Sequence, residues 1–130
     1  MNDSKKTFKD KKVLVVDDEA VMRSFLTGIV KRIGFKSVSE ARDAKSAMDM
    51  ITAKPFDVVF CDWEMPGMDG LELHKKIMDN DEYKHLVFIM ATGNTGPEHV
   101  KEAMSKGIRY YIGKPFNEAV IRKQLAKALS

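Results

Sequence analysis

A short apolar run that ends in a carboxylate constrains this chain more than any other feature. Val58–Cys61 has the continuous apolar character of a buried strand, and Asp62 follows it directly. The residues after Asp62 include Pro66, Gly67 and Gly70, so the strand cannot continue past the carboxylate. In open parallel sheets, ligands bind outside the carboxyl ends of the strands. The sequence therefore predicts a functional site at Asp62.

A second cluster of acids closes an earlier apolar run. Asp17, Asp18 and Glu19 follow Val13–Val16, which also has the pattern of a strand buried on both faces. Two strands that deliver carboxylates to one edge of a sheet predict one shared site. The alternative interpretation is that these acids precede a helix and serve as N-cap and first-turn residues that favour the helix dipole.

Strand and helix patterns alternate five times along the chain. The predicted strands cover residues 12–17, 37–41, 58–61, 86–90 and 110–113. Apolar residues at helical spacing follow each strand, and the clearest stripe is Met22, Phe25, Leu26, Ile29, Val30 and Ile33. The fourth helix is predicted to begin with a capping box of Thr95 and Glu98 and to be lined by Val100, Ala103, Met104 and Gly107. Other predicted helix boundaries are Gly34, Asp43 and Asn117. This alternation predicts an α/β fold, a doubly wound parallel sheet with helices on both faces.

Length and composition favour one globular domain. The chain has 130 residues, of which 44% are hydrophobic, and this suffices for a single core. Residues 1–10 are polar and without periodicity, so they are predicted to be a flexible arm ahead of a domain over 11–130. No apolar run reaches the roughly 18 residues of a membrane span, and no signal region follows the N-terminal lysines. A cytoplasmic protein without membrane contact is predicted.

Charge and metal-ligand residues exclude two further classes of function. The net charge of +3 is modest and the basic residues are dispersed, so no nucleic-acid partner is predicted. Cys61 lies inside an apolar strand and is predicted to be buried and unreactive. His74, His85 and His99 have no metal-ligand spacing and are predicted to be surface residues, which argues against zinc.

The candidate site residues share one placement, at the carboxyl end of a predicted strand. They are Asp17, Asp18, Asp62, Thr92 and Lys114. Three carboxylates brought together repel one another unless a cation neutralises them, and an open site of oxygen ligands suits Mg2+. An aspartate beside Mg2+ can act as a nucleophile toward a phosphoryl group, with Lys114 offsetting charge and Thr92 donating its hydroxyl. Taken singly, Thr92 is an ordinary loop residue and Lys114 a solvated lysine.

Four motifs in this order resemble the receiver domain of bacterial response regulators. They are Val16–Glu19, Asp62–Gly70, Ala91–Gly93 and Lys114–Phe116, and the resemblance covers roughly residues 10–130. The intervals between the motifs, together with Trp63 and the run Leu71-Glu72-Leu73, are similar to those of the single-domain chemotaxis regulators, the CheY type. The fold that this implies is flavodoxin-like, with five helices around a five-stranded parallel sheet of strand order 2-1-3-4-5.

The resemblance also implies roles for individual residues. Asp62 would be the phosphoacceptor, loaded by a phosphohistidine on a sensor histidine kinase or by acetyl phosphate. Mg2+ would be bound by Asp18, Asp62 and the backbone carbonyl of Glu64, with Asp17 acting through water. Such a protein phosphorylates and dephosphorylates itself and is not a conventional turnover enzyme.

Further implied roles concern the switch. Thr92 and Tyr111 would be the switch pair, although a strand tyrosine is equally a packing residue. Lys114 would contact the phosphoryl group, and the Lys114–Pro115 bond would be cis. Three departures from the usual pattern, Glu64, Gly93 and Asn94, lie where side chains influence the access of water. For Glu64, repulsion of the phosphoryl group, metal binding and pairing with a lysine all remain open.

The implied function is that of a single-domain response regulator, with no output domain after the last helix. Phosphorylation would change a surface formed by the fourth helix, the fifth strand and the fifth helix, which we call the switch surface. Predicted contributors to it are Thr95, Val100, Lys101, Met104, Tyr111 and Phe116. The protein is predicted to be a monomer that binds an output protein such as the flagellar motor switch.

The sequence is compatible to different degrees with three alternative functions. The first is a phosphorelay carrier to a histidine phosphotransfer domain. The second is a small Mg2+-dependent phosphohydrolase, for which Glu64 fits loosely as second acid but the length leaves no room for a cap. The third is a flavin-binding module, for which the chain lacks the loop pattern of a phosphate cradle.

Overall fold

The computed structural model describes residues 8–130, and strands and helices alternate in it from Lys12 to Ala128. The strands are β1 (Lys12–Val16), β2 (Ser37–Ala41), β3 (Val58–Cys61), β4 (Val87–Thr92) and β5 (Tyr110–Gly113). The helices are α1 (Ala20–Ile33), α2 (Ala44–Ala53), α3 (Gly70–Met78), α4 (Pro97–Ser105) and α5 (Glu118–Ala128). The predicted order of elements is confirmed, and β4 extends two residues beyond the predicted end, to Thr92.

All neighbouring strands are parallel, in the order β2-β1-β3-β4-β5. The predicted doubly wound sheet of order 2-1-3-4-5 is therefore confirmed. In the central pair, Val16 of β1 is opposite Cys61 of β3. Because the strands are parallel and in this register, the residues that follow them emerge side by side at one edge of the sheet.

The helices cover both faces of the sheet. On one face, β1 and β3 residues such as Leu14 and Val59 pack in a cluster with buried residues of α2, α3 and α4. On the other face, their neighbours Val13 and Val58 pack with α1 and α5. Strands buried on both sides need apolar residues at successive positions, which explains the uninterrupted apolar runs in the sequence.

The apolar stripe of α1 is only partly buried. Leu26, Ile29, Val30 and Ile33 lie in the core, and Gly34 ends the helix at φ 134°, as predicted. Phe25, which belongs to the same apolar stripe, is 47% exposed. It lies at the edge of the stripe, where its ring stacks on Phe116 with a centroid distance of 5.8 Å instead of facing the sheet.

The predicted helix starts are confirmed at two positions and wrong at a third. Asp43 accepts a hydrogen bond from the backbone of Ser46, and Asn117 accepts one from Val120. Thr95 does not cap α4: the N-cap is Gly96, which has no side chain to bond the first turn, and Pro97 is the first helical residue. Of the four residues predicted to line this helix, Ala103 is buried and Val100 is half-buried, whereas Met104 is 52% exposed and Gly107 is exposed.

The arm predicted over residues 1–10 is described only from Phe8 onward, and residues 1–7 lie outside the described residues. Phe8 is buried in the core. Its ring stacks on Phe35 with a centroid distance of 4.8 Å and planes 7° apart. The backbone N–H of Lys11 donates to the Phe8 carbonyl. Phe8 therefore belongs to the core, since its aromatic ring covers apolar surface beside α1 and β2.

The thiol of Cys61 is buried in β3, as predicted, with 1% of the residue exposed. Burial and then the negative charge of Asp62 raise its pKa well above the ordinary value. Reactive cysteines carry a thiolate, so this environment favours an inert thiol. None of the helices in residues 8–130 has the length and apolar character needed to cross a membrane.

His74 is buried in the inner face of α3, so its prediction as a surface residue was wrong. The residue is 7% exposed, and its ring meets Phe88 of β4 edge-on with a centroid distance of 5.0 Å. Sequence spacing missed it because a histidine on an amphipathic helix is compatible with either face. Burial lowers the pKa of His74 below its ordinary value.

We expect this histidine to make the domain less stable as the pH falls below 6.5. The unfolded chain takes up a proton on His74 near the ordinary pKa of 6.5, whereas the folded protein does so only at lower pH. The free energy of unfolding should therefore decrease between these two pKa values. Urea unfolding at a series of pH values should show a shallower decrease in His74→Gln. His85→Gln, at an exposed position, should keep the wild-type slope, and an unchanged slope in His74→Gln would refute the assignment.

Candidate functional site

Carboxylates from two adjacent strands meet at the carboxyl edge of the sheet. Asp17 and Asp18 follow β1, Asp62 follows β3, and the Asp62 N–H donates to the Val16 carbonyl at 3.1 Å. One carboxylate oxygen from each of the three aspartates lies within 4.8 Å of the others. Asp17 and Asp62 are buried, whereas Asp18 is exposed. The structure thus brings together the three acids that the sequence placed at one edge.

The ammonium group of Lys114 lies among these carboxylates. Lys114 follows β5, and its Nζ is 2.9 Å from Asp17 Oδ2, 3.1 Å from Asp62 Oδ2 and 3.5 Å from Glu19 Oε1. Burial alone would lower the pKa of Lys114, but the hydrogen bonds to Asp17 and Asp62 outweigh it and raise the pKa. The lysine is therefore fully charged at neutral pH and is not a solvated loop residue. One ammonium among more carboxylates leaves the site net negative, as a cation site requires.

The side chains of the first acidic cluster do not cap α1, which was the alternative interpretation of these residues. Glu19 is the N-cap residue of α1 and makes no side-chain cap hydrogen bond. Asp17 Oδ1 accepts the Glu19 N–H at 2.9 Å, which orients the carboxylate while its Oδ2 faces Lys114. This local bond positions Asp17 for the site.

An arginine that the sequence analysis did not single out supports this loop. Arg23 of α1 donates from Nη1 to the Asp17 backbone carbonyl at 2.8 Å and from Nε to Glu40 at 3.0 Å. It thus ties the end of β1 to β2. In the sequence, Arg23 is marked only by its position about one turn into the helix that follows the acidic cluster. That position is too common among arginines to predict its role.

The two predicted switch residues are joined by the main chain of Asn94. Thr92 ends β4, is buried, and accepts the Asn94 N–H on Oγ1 at 3.3 Å. The Tyr111 hydroxyl donates to the Asn94 carbonyl. Burial and then the charge of Asp62 raise the pKa of Tyr111. The Asn94 main chain therefore fixes the loop after β4 to both Thr92 and Tyr111. The sequence had drawn attention to Asn94 only for its side chain.

The loop after β3 approaches α3 closely. Asp62 Oδ1 accepts the Trp63 N–H at 2.7 Å, and the Trp63 carbonyl accepts the Gly70 N–H at 2.8 Å. A Cβ on Gly70 would overlap the Asp62 carbonyl oxygen and lie 3.0 Å from Trp63 Cα. Gly70 is therefore required by close packing of the α3 N-terminus on the Asp62 backbone, whereas the sequence indicated it only as a strand breaker.

The remaining predicted residues have the following placements. Glu64 is exposed, and its side chain lies outside the group of three carboxylates. Its predicted metal contact, through the backbone carbonyl, stays a prediction. Gly93 is exposed, with open space where a Cβ would lie. The Lys114–Pro115 peptide bond is cis, as the resemblance implied.

The pattern of the response regulator receiver domain matches residues 13–126. The chain belongs to this family. It shares 39% identity over 119 residues with the chemotaxis protein CheY-3 of Vibrio cholerae, covering 92% of both proteins. It shares 33% identity with the chemotaxis protein CheY of Pseudomonas aeruginosa, covering 89% of this chain and 94% of that protein. It is thus a CheY-type receiver domain, a component of two-component signalling.

Solved receiver structures superpose closely on this one. CheY4 of Vibrio cholerae has a TM-score of 0.83 and 31% identity, covering 91% of this receiver domain and 98% of that chain. A chain of a CheX-CheY-BeF3-Mg2+ complex from Borrelia burgdorferi has a TM-score of 0.84 and 29% identity, covering 92% of this receiver domain and 90% of that chain. The fold and the predicted resemblance are both confirmed.

The residues predicted to contribute to the switch surface differ in their exposure. Thr95, Lys101 and Met104 are exposed, while Val100 and Tyr111 are half-buried. Phe116 is only 7% exposed because Phe25 of α1 stacks over it, so its predicted place on that surface was wrong.

Proposed function

We propose that this receiver domain is a cytoplasmic switch in which Asp62 accepts a phosphoryl group from a sensor histidine kinase or from acetyl phosphate. The observation that carries the proposal is the position of Lys114 Nζ, within hydrogen-bonding distance of both Asp17 and Asp62. Phosphoryl transfer depends on positioned charges that offset those of the phosphoryl oxygens, and this ammonium lies where they would collect.

In the proposed transfer, a carboxylate oxygen of Asp62 attacks phosphorus and forms an oxygen–phosphorus bond. The bond from phosphorus to the imidazole nitrogen of the donor breaks, and its electron pair stays on the imidazole. With acetyl phosphate the leaving group is acetate. The Trp63 N–H on Oδ1 and the Lys114 ammonium on Oδ2 orient the carboxylate before attack.

The donor set of the site fits Mg2+. Asp17, Asp18 and Asp62 offer oxygen ligands alone, and the exposure of Asp18 leaves the site open to water and to a phosphoryl donor. Mg2+ prefers oxygen ligands, retains waters and is typically held by one or two carboxylates plus phosphate oxygens. The bound ion would neutralise charge between the acceptor and the incoming group. The Glu64 carbonyl is the proposed further ligand.

The proposed output is a change at the switch surface. Thr92 would donate its hydroxyl to a phosphoryl oxygen, and its present bond from the Asn94 N–H would have to adjust. Tyr111 would follow, since its hydroxyl bonds the Asn94 carbonyl. The proposed target is a protein such as the flagellar motor switch, in line with the similarity to chemotaxis proteins.

The test is the intact mass of the protein after incubation with Mg2+ and acetyl phosphate. Wild type should gain one phosphoryl group. Asp62→Asn should gain none, because the amide has no negatively charged oxygen to attack phosphorus. Omission of Mg2+ should strongly reduce the addition. The matched control is Asp49→Asn, an exposed aspartate on α2 that should leave phosphorylation unchanged. Phosphorylation that persists in Asp62→Asn, or none in wild type with either acetyl phosphate or a sensor kinase, would refute the proposal.

A second experiment separates motor control from phosphorelay. If the receiver is an output switch, its binding to a motor switch protein should depend on phosphorylation. If it is a carrier, the phosphoryl group should move rapidly to a histidine phosphotransfer domain.

A further inference from the structure

The ring of Trp63 contacts two elements of the switch surface at once. His99, in the first turn of α4, meets it edge-on with a centroid distance of 5.7 Å and planes 88° apart. Tyr111 of β5 meets it at 6.5 Å and 86°. Edge-to-face aromatic pairs are favourable beyond the area they bury. Trp63, the single tryptophan of the chain, thus joins α4 to β5 beside Asp62.

The main chain of Trp63 is fixed to the acceptor itself. Its N–H donates to Asp62 Oδ1 at 2.7 Å, and its carbonyl accepts from Gly70 at 2.8 Å. The peptide that carries the ring is therefore bonded directly to the carboxylate whose chemistry changes. A change in charge on Oδ1 acts on this peptide without an intermediate residue.

The helix that His99 belongs to begins without a side-chain cap. Its N-cap, Gly96, makes no side-chain bond to the first turn. Ala103 is the fully buried residue of α4, and Met104 is 52% exposed. The preceding loop includes Gly93, around which a Cβ would find open space. The contact between His99 and Trp63 is therefore one of the side-chain contacts that position the first turn of this helix.

We propose that His99 is a positioning residue that couples the chemical state of Asp62 to the position of α4 through the ring of Trp63. This inference rests on the proposed function, because it requires phosphorylation of Asp62. In the acyl phosphate, negative charge moves from the carboxylate oxygens to the phosphoryl oxygens, which weakens the charge-assisted bond from the Trp63 N–H. The Trp63 peptide then shifts with its ring, and His99 carries the shift to the first turn of α4.

The test compares backbone hydrogen exchange over residues 97–105 with and without Mg2+ and acetyl phosphate. Wild type should show a change in exchange on phosphorylation. That change should be reduced about two- to tenfold in His99→Ala, the range expected from loss of one edge-to-face pair. His99→Phe keeps an aromatic ring and should restore it. The matched control is His85→Ala, at an exposed histidine ahead of β4, which should behave as wild type.

Intact mass measured on the same samples shows whether Asp62 is phosphorylated, independently of any change in α4. If wild type and variants are phosphorylated equally and His99→Ala retains the full change in α4, this inference fails and the proposed function stands. If wild type gains no phosphoryl group from acetyl phosphate or from a sensor kinase, both fail. A purely structural role for His99 would raise exchange equally in both states and leave their difference unchanged, and that result would also overturn the coupling.

Discussion

Lys114→Gln is expected to slow the phosphorylation of Asp62 by about a hundredfold or more, the usual effect of removing one positioned group that stabilises transition-state charge. Lys114 Nζ lies 3.1 Å from Asp62 Oδ2 and 2.9 Å from Asp17 Oδ2, so it is close to where the phosphoryl oxygens would lie. Glutamine keeps a hydrogen-bond donor but carries no charge and is one bond shorter than lysine. The expected loss therefore reflects removal of the positioned positive charge from the site.

The same substitution should have the opposite effect on Mg2+. The ammonium competes with a metal ion for the Asp17 and Asp62 carboxylates, so its removal leaves them with more uncompensated charge and should tighten Mg2+ binding. Trp63 fluorescence, from the residue beside Asp62, can follow the Mg2+ titration, while intact mass follows phosphorylation over time. Lys106→Gln, at an exposed lysine paired with Glu102, is the matched control and should change neither. Weaker Mg2+ binding with an unchanged rate would contradict the electrostatic role.

Gly70→Ala should destabilise the domain by about 2 kcal/mol, within the range for overpacking a buried position. The added Cβ would overlap the Asp62 carbonyl oxygen, and backbone atoms cannot rotate away as a flexible side chain can. Because the Asp62 backbone must move to relieve the overlap, the acceptor should also lose most of its phosphorylation. Urea unfolding and intact mass measure the two effects.

Gly28→Ala is the matched control for this prediction. Gly28 lies inside α1, and a Cβ there would meet only Arg32 Nη1 at 3.7 Å, an ordinary contact. Alanine favours a helix interior over glycine by up to about 1 kcal/mol, so this variant should be more stable than wild type. Equal shifts of the two variants in the same direction would contradict the close-packing argument at Gly70.

Much of the site could be predicted from the sequence because parallel strands bring their carboxyl ends to one edge. Once β1 and β3 are neighbours in register, the residues after Val16 and Cys61 must be adjacent. The apolar runs predicted the strands, and the acids that end them predicted the cluster. Lys114 followed from the same rule applied to β5.

The residues that sequence reasoning missed act through contacts between elements distant in the chain. The orientation of Arg23 toward Asp17 and Glu40, and the contact of His99 with Trp63, depend on how helices pack on the sheet. Periodicity gives the face of a helix but not the partner it meets. For the same reason His74 was predicted to be a surface residue, although it is buried.

Local turn chemistry explains the error at the start of α4. Thr95 and Glu98 have the spacing of a capping box, and Pro97 suits the first helical position. The helix instead begins at Pro97 with Gly96 as its N-cap, so Thr95 lies one residue too early to cap it. Pro97 then occupies the first helical position, which proline favours.

The stacking of Phe8 on Phe35 indicates a suitable place to attach a label or fusion partner, ahead of Phe8. Phe35 lies two residues before β2, and β1 and β2 start together with Lys12 opposite Ser37, so this aromatic pair sits at the amino edge of the sheet. Asp62 and Lys114 lie at the carboxyl edge. A fluorophore or affinity tag joined ahead of Phe8 therefore enters the domain at the end remote from the acceptor. Immobilisation through that end would leave the acceptor accessible to a kinase in surface-based binding assays.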